Sequence, residues 1–196
     1  MSLANEDFLV EVDLEKIKKR LGKKRYKHTL YVLEAASKLA KNLNLNQKKV
    51  KTAALLHDIA KSKNDEELKL ILKDSRWSVG QMEVAIAPIL HAPAGAVIAE
   101  KDFGIEDQEV LEAIRYHTLG HPEMGKIAQV IYAADFISED RQFSTLNEIR
   151  KKIERDFELG LYLITTNIIK YQLEQDNFIH PYSNDLRNKL LKRSDK

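Results

Sequence analysis

Along most of this chain apolar residues recur at intervals of three and four, the spacing that lines one face of an α-helix. His28, Val32, Ala36 and Leu39 share such a face and predict a helix over 26–43. Residues 42–46 read as a turn. A second helix is predicted over 47–60, with Ala53, Ala54, Leu55 and Leu56 making it apolar near its end. Asn64 suits the N-cap of a third helix over 65–72. The stretch 73–90, which holds Trp77, Gly80 and Pro88, is looser. Pro93 suits the first turn of a helix over 93–103, where a missing N–H costs nothing, and Gly104 suits its end. Helices over 107–117 and 126–137 flank a polar loop at 118–125, and further helices are predicted over 146–157, 161–174 and 182–191. No internal repeat or convincing linker interrupts the series. The expectation is an all-α helical bundle in a single domain.

Composition agrees. Only seven Gly and four Pro are present in 196 residues, too few for the many tight turns of a strand-rich fold. Hydrophobic residues make up 43% and charged residues 32%, ordinary for a globular chain with a full core. Lys plus Arg total 32 against 30 Asp plus Glu, so the formal charge of +2 excludes a disordered acidic tail or a general nucleic-acid clamp. No run of 18 apolar residues exists and the first residues show no signal-peptide pattern. A cytoplasmic protein is expected, with no membrane or nucleic-acid partner and a homodimer as one option. Cysteine is absent, which excludes disulfides, iron–sulfur clusters, thiolate zinc sites and a Cys nucleophile.

The informative residues are polar groups inside apolar helices. His57-Asp58 follows Leu55-Leu56, and Asp135 sits deep in Ala128-Gln129-Val130-Ile131-Tyr132-Ala133-Ala134-Asp135-Phe136-Ile137. A buried carboxylate must be protonated, paired or bound to a metal. No Lys or Arg lies one turn from Asp135, so its partner is expected from elsewhere in the fold. His28 lies on the inward face named above, His91 just before Pro93, and His117 at the end of Ala113-Ile114-Arg115-Tyr116. Taken singly, each histidine reads as a hydrogen-bonded core or helix-end residue. Together, four imidazoles and two carboxylates make a nitrogen and oxygen donor set suited to a first-row metal where no thiolate is available.

The ordered segments are Arg25-Tyr26-Lys27-His28, Ala54-Leu55-Leu56-His57-Asp58-Ile59-Ala60-Lys61, Leu90-His91-Ala92-Pro93-Ala94-Gly95-Ala96, Ile114-Arg115-Tyr116-His117-Thr118-Leu119-Gly120, Ile131-Tyr132-Ala133-Ala134-Asp135-Phe136-Ile137 and His180-Pro181. Their order resembles the HD-domain metallophosphohydrolase superfamily, and more narrowly its YqeK family, over about residues 20–185. The resemblance implies a helical HD domain, taken here over 20–192, and residues 1–19 are expected to form an N-terminal helical extension. It also implies symmetrical hydrolysis of diadenosine tetraphosphate to two ADP at a two-metal centre, most often iron, with Mn, Co and Zn equally suited to the donors. His28, His57, Asp58 and Asp135 would hold one metal. Asp58 would bridge to a second, held also by His91 and His117, with a shared hydroxide as nucleophile between ions about 3.5–4 Å apart. The segment after Asp135, Ser138-Glu139-Asp140-Arg141-Gln142-Phe143-Ser144, departs from the family's pattern: Arg141 and Phe143 are kept, but its Pro and Gly are missing.

Around this set, Lys61 is either a point charge for a substrate phosphate, with a catalytic role beside Asp58, or a solvated lysine. Thr118 and His121 are candidates for phosphate contact, with His121 also placed to protonate a leaving group, or they are ordinary loop residues. Arg141 and Arg25 suit bidentate phosphate contact or are exposed arginines. The basic run of Lys16, Lys18, Lys19, Arg20, Lys23, Lys24, Arg25 and Lys27 either steers a polyanion or forms a solvated helix face. His180, beside Pro181, reads as structural. Two other functions share this motif set: an HD hydrolase of nucleoside mono- or triphosphates or guanosine alarmones, and a non-catalytic nucleotide-sensing module.

Overall fold

Helix α1 (Leu14–Asn42) begins well before the expected position 26. Asp13 caps it by accepting from the Lys16 amide, and Ile17 and Leu21, four apart, bury its first turns. Gly22 interrupts the helix at φ 70° and ψ 167°, which separates the basic opening from the segment that carries His28. The computed structural model describes residues 12–77 and 79–194, so most of the expected N-terminal extension lies outside the described residues.

The remaining helices are α2 (Gln47–Leu56), α3 (Asp65–Lys73), α4 (Gln81–Ala85), α5 (His91–Phe103), α6 (Gln108–Tyr116), α7 (Lys126–Ile137), α8 (Leu146–Arg155), α9 (Phe157–Glu174) and α10 (Pro181–Ser194), with a 3₁₀ turn at Ala87–Ile89. No strand occurs among the described residues, which bears out the all-α expectation. Helix α1 packs on α2 and α7, while α6 lies against α2, α5 and α7. Leu56, Ile59, Leu90, Leu111, Ile114 and Ile131 meet there with almost no exposed surface. Helices α8, α9 and α10 pack in sequence against one another, and α7 joins them to the core. Among the described residues no helix is long and apolar enough to cross a membrane.

Several boundaries differ from the periodicity, each for a local reason. Helix α2 stops at Leu56 rather than 60, because the chain tightens into i+3 bonds, from the Ile59 amide to the Leu56 carbonyl and from the Lys61 amide to the Asp58 carbonyl. Helix α5 starts at His91, which places Pro93 third in the helix, still inside the turn whose N–H groups have no helical acceptor. Gly104 ends α5 at φ 66°, with the Ile105 amide reaching back to the Ala99 carbonyl. The loose stretch before α5 is organised by α4 and the 3₁₀ turn.

The two helices expected over 146–157 and 161–174 instead divide at Asp156, whose side chain accepts from the Leu159 amide and starts α9 early. Gly160 then faces Ile153 of α8. A β-carbon there would lie 2.3 Å from the Ile153 β-carbon and 2.5 Å from its α-carbon. Backbone contact of this kind gives way only by separating the helices. Gly160→Ala is therefore expected to destabilise the chain by about 2–3 kcal/mol despite its better helix propensity, measured by urea denaturation.

Candidate metal centre

Five elements deliver one polar cluster into the apolar core. His28 comes from the buried face of α1, His57 and Asp58 from the tight turn after α2, and His91 from the first turn of α5. His117 caps the end of α6, and Asp135 sits in the last turn of α7. The early end of α2 has a direct consequence. In the turn that follows Leu56, both His57 and Asp58 face the same centre, which two successive positions on a straight helix do less readily.

Asp58 is the hinge of the arrangement. Its Oδ2 lies 3.5 Å from His57 Nε2 and 3.9 Å from His28 Nε2. Its Oδ1 lies 3.3 Å from His91 Nε2 and 3.6 Å from His117 Nε2. Two ligand groups result, His28/His57/Asp58 and Asp58/His91/His117, each with its donor atoms within 4.8 Å of one another and all of these residues buried. Asp135 Oδ1 stands 3.0 Å from His28 Nε2 and so borders the first group.

Hydrogen bonding fixes which ring nitrogens face inward. His57, His91 and His117 donate from Nδ1 to the carbonyls of Ala54, Pro88 and Ile114, at 2.7, 2.7 and 2.8 Å. A carbonyl can only accept, so each of these rings carries a proton on Nδ1 and, in its neutral form, turns the Nε2 lone pair into the cluster. The Nε2 atoms of His91 and His117 then stand 3.1 Å apart with lone pairs opposed. His57 Nε2 is buried with no hydrogen-bond partner. Opposed lone pairs and an orphaned nitrogen beside a carboxylate are the donor chemistry of a cation site, so the residues present fit a pair of metal ions.

The electrostatics agree. Burial pushes His117 down to about 4; the nearby Asp58 opposes this, while His57 and His91 add to it. His117 is therefore neutral near pH 7, the form a metal needs. Burial alone would push both carboxyls up. The His57, His117 and His91 rings around Asp58, and His28, His57 and the Arg141 guanidinium around Asp135, outweigh it. Both carboxylates are held well below the ordinary range.

Cations border the carboxylates. Arg25 Nη1 lies 2.9 Å from Asp58 Oδ2, and Arg141 Nη2 lies 2.7 Å from Asp135 Oδ1. The partner of Asp135 thus comes from His28 on α1 and from Arg141, six residues along the chain and beyond the reach of a one-turn search. Lys61 Nζ sits 3.1 Å from His91 Nε2, and burial lowers its pKa, opposed by Asp58. Thr118 Oγ is 3.2 Å from His91 Nε2 and 3.1 Å from His117 Nε2, inside the second group rather than outside it. His121 stands apart. It stacks on Tyr116 at 4.7 Å, meets the edge of Tyr182, and accepts from the Glu123 amide at Nδ1. His180 accepts from the Tyr182 amide and packs against that ring, a structural role. Of the basic run, Arg20 pairs with Asp102, while Lys18, Lys19, Lys23, Lys24 and Lys27 are exposed.

Residues without a sequence signal also take part. Asp140 accepts from His28 Nδ1 at 2.8 Å, and Arg150 donates to the carbonyls of Ile137 and Ser138. Arg115 and Glu83 form a buried pair at 2.5 Å that ties α4 to α6. Neither Asp140 nor Glu83 belongs to an apolar period, and their partners are 112 and 32 residues away.

A helical bundle in which one aspartate joins two histidine groups defines a metal-dependent hydrolase of the HD type. The HD domain family model matches residues 25–140. The chain is 33% identical to the symmetrical bis(5'-nucleosyl)-tetraphosphatase of Halalkalibacterium halodurans, over 91% of this chain and 95% of that one. It is 32% identical to the enzyme of the same name from Staphylococcus aureus, over 87% and 89%. Among solved structures, it superposes with a TM-score of 0.88 on a predicted HD superfamily hydrolase involved in NAD metabolism from Clostridium acetobutylicum. That protein is 34% identical, with 92% of this chain and 95% of that chain covered. This chain belongs to the HD-domain superfamily and is closely related to its YqeK-like family of symmetrical diadenosine tetraphosphate hydrolases.

Proposed function

We propose that this protein hydrolyses diadenosine tetraphosphate symmetrically to two ADP. The observation that carries the reading is the Asp58 carboxylate, with one oxygen toward His28 and His57 and the other toward His91 and His117. The relatives that match along nearly the whole chain carry this activity in their names.

His28, His57, Asp58 and Asp135 would hold one ion, and Asp58, His91 and His117 the other. When bound, two such ions supply Lewis acidity toward the phosphoryl oxygens and lower the pKa of water, with iron our choice and Mn, Co and Zn chemically suited. The protein's own residues do the rest. Arg25 and Arg141, each at a cluster carboxylate, present guanidinium N–H groups to phosphate oxygens. Lys61, with its ammonium form weakened by burial, faces the cluster and gives its proton to the departing ADP oxygen. Thr118 offers its hydroxyl at the second group. His121 keeps its Nδ1 for the Glu123 amide and so presents an Nε2–H, which serves the far end of a long substrate.

Water adds to one of the two central phosphorus atoms, the bridging P–O bond between the central phosphates breaks, and the bridging oxygen leaves with the second ADP. The test is product identification from diadenosine tetraphosphate with metal-loaded protein. ADP alone is expected. ATP and AMP in equal amounts would contradict the symmetrical cleavage.

A further inference from the structure

We propose that Asp140 is a positioning residue for His28 and sets how tightly the His28 side of the centre holds its metal. The inference rests on the metal-dependent reading above. It starts from a difference among the four histidines. His57, His91 and His117 stand at helix ends or in a turn, where the carbonyl three residues earlier is free to accept from Nδ1. His28 stands inside the 29-residue α1, where the nearby carbonyls are spent on the helix ladder. Its Nδ1 needs an acceptor from another part of the chain, and Asp140 Oδ2 supplies one at 2.8 Å.

Asp140 is itself held in place. Its Oδ1 accepts from the buried Ser138 hydroxyl at 2.8 Å. The Ser138 carbonyl accepts from Arg150 Nη2 at 2.6 Å and from the Arg141 amide at 3.1 Å. The loop after α7 is therefore pinned from α8 and turned back onto α1.

The chemistry of this acceptor differs from that of the other three. A carboxylate draws the Nδ1 proton more strongly than a carbonyl does, which makes Nε2 a more basic and better oriented ligand. The His28 side also has Asp135 beside it, so it combines two carboxylates with a carboxylate-backed imidazole. Among the described residues, the His91/His117 side has one carboxylate, Asp58, and its two rings are carbonyl-backed. The first position is the tighter of the two, and Asp140 contributes to that difference.

Titration of the metal-free full-length protein with Mn²⁺ tests this. Wild type is expected to show two binding steps. In Asp140→Ala the tighter step should weaken about 10–100-fold while the weaker step keeps its affinity. Hydrolysis should fall at limiting Mn²⁺ and recover at saturating Mn²⁺, which a purely structural defect would not do. Asp140→Asn, which keeps the shape and a neutral acceptor, should weaken the same step by about tenfold, the lower end of that range, and decides the matter if the alanine variant fails to fold. A variant titration superimposable on wild type, or a loss of activity that added metal leaves unchanged, would overturn the inference. Wild-type protein that binds no Mn²⁺, Co²⁺ or Fe²⁺ would instead overturn the metal-dependent reading and the inference with it.

Discussion

Asp58→Ala is expected to lower hydrolysis on the order of a thousandfold or more and to strip metal from both positions. The size follows from geometry. Each oxygen of this carboxylate serves a different histidine group, so one substitution removes the only anionic donor of the second group and the shared donor of the first. A site that has to neutralise charge on an attacked phosphoryl group loses several kcal/mol when its metals leave, and each 1.36 kcal/mol is a factor of ten in rate. The fold should survive. Leu56, Ile59, Leu90 and Ile114 pack the core around the centre without help from this carboxylate. Helical circular dichroism together with elemental analysis separates the outcomes: native helix content with little bound metal is expected. A variant with full metal content and full activity would show that the two groups do not depend on Asp58.

Glu83→Ala carries the largest expected effect on stability. Glu83 and Arg115 are 2% and 4% exposed, and their charges meet at 2.5 Å. The second Glu83 oxygen accepts from the Gly80 amide at 2.9 Å, which caps the short α4. Removing the carboxylate takes the Glu83 anion from the buried Arg115 charge, and breaking such a pair typically costs about 3–5 kcal/mol. Denaturant unfolding should register a loss of that order. Metal affinity should fall too, because Arg115 stands two residues before His117 and α4 leads into the 3₁₀ turn whose Pro88 carbonyl orients His91. A loss below about 1 kcal/mol would mean that water reaches Arg115 and replaces the carboxylate.

These two residues also show what sequence can and cannot disclose. Asp58 was legible because a charged pair at the end of Leu55-Leu56 breaks an apolar run, and Asp135 stood out in the same way. His28, His91 and His117 read singly as core or helix-end residues and gained weight from their number and order; the structure brings all of them together. Glu83 breaks no period, because α4 is five residues long and shows no repeat to violate. Asp140 lies in a loop, where an acidic residue is unremarkable until α1 is seen across from it.

Helix ahead of position 26 was expected as an N-terminal extension, but its continuity with α1 was not legible. The first turns carry so many lysines that Ile17 and Leu21 alone among the residues of α1 before Gly22 mark the buried side. Where helices end was harder to read than where they lie, since the ends of α2 and α8 are set by local bonds, the tightened turn after Leu56 and the Asp156 cap, rather than by hydrophobic spacing. Roles at the rim were the least legible. Thr118 and His121 are three residues apart, yet one joins the histidine cluster and the other joins an aromatic group with Tyr116 and Tyr182.

On the proposed reading, Asp58 would hold two metal ions together with two pairs of histidines. Elemental analysis of the full-length protein, purified and reloaded anaerobically with Fe²⁺ or with Mn²⁺, measures this directly. Two ions per chain in wild type are expected, with little or no metal retained in Asp58→Ala. A single ion per chain that remains after the substitution, or none in wild type under any of these loadings, would contradict it.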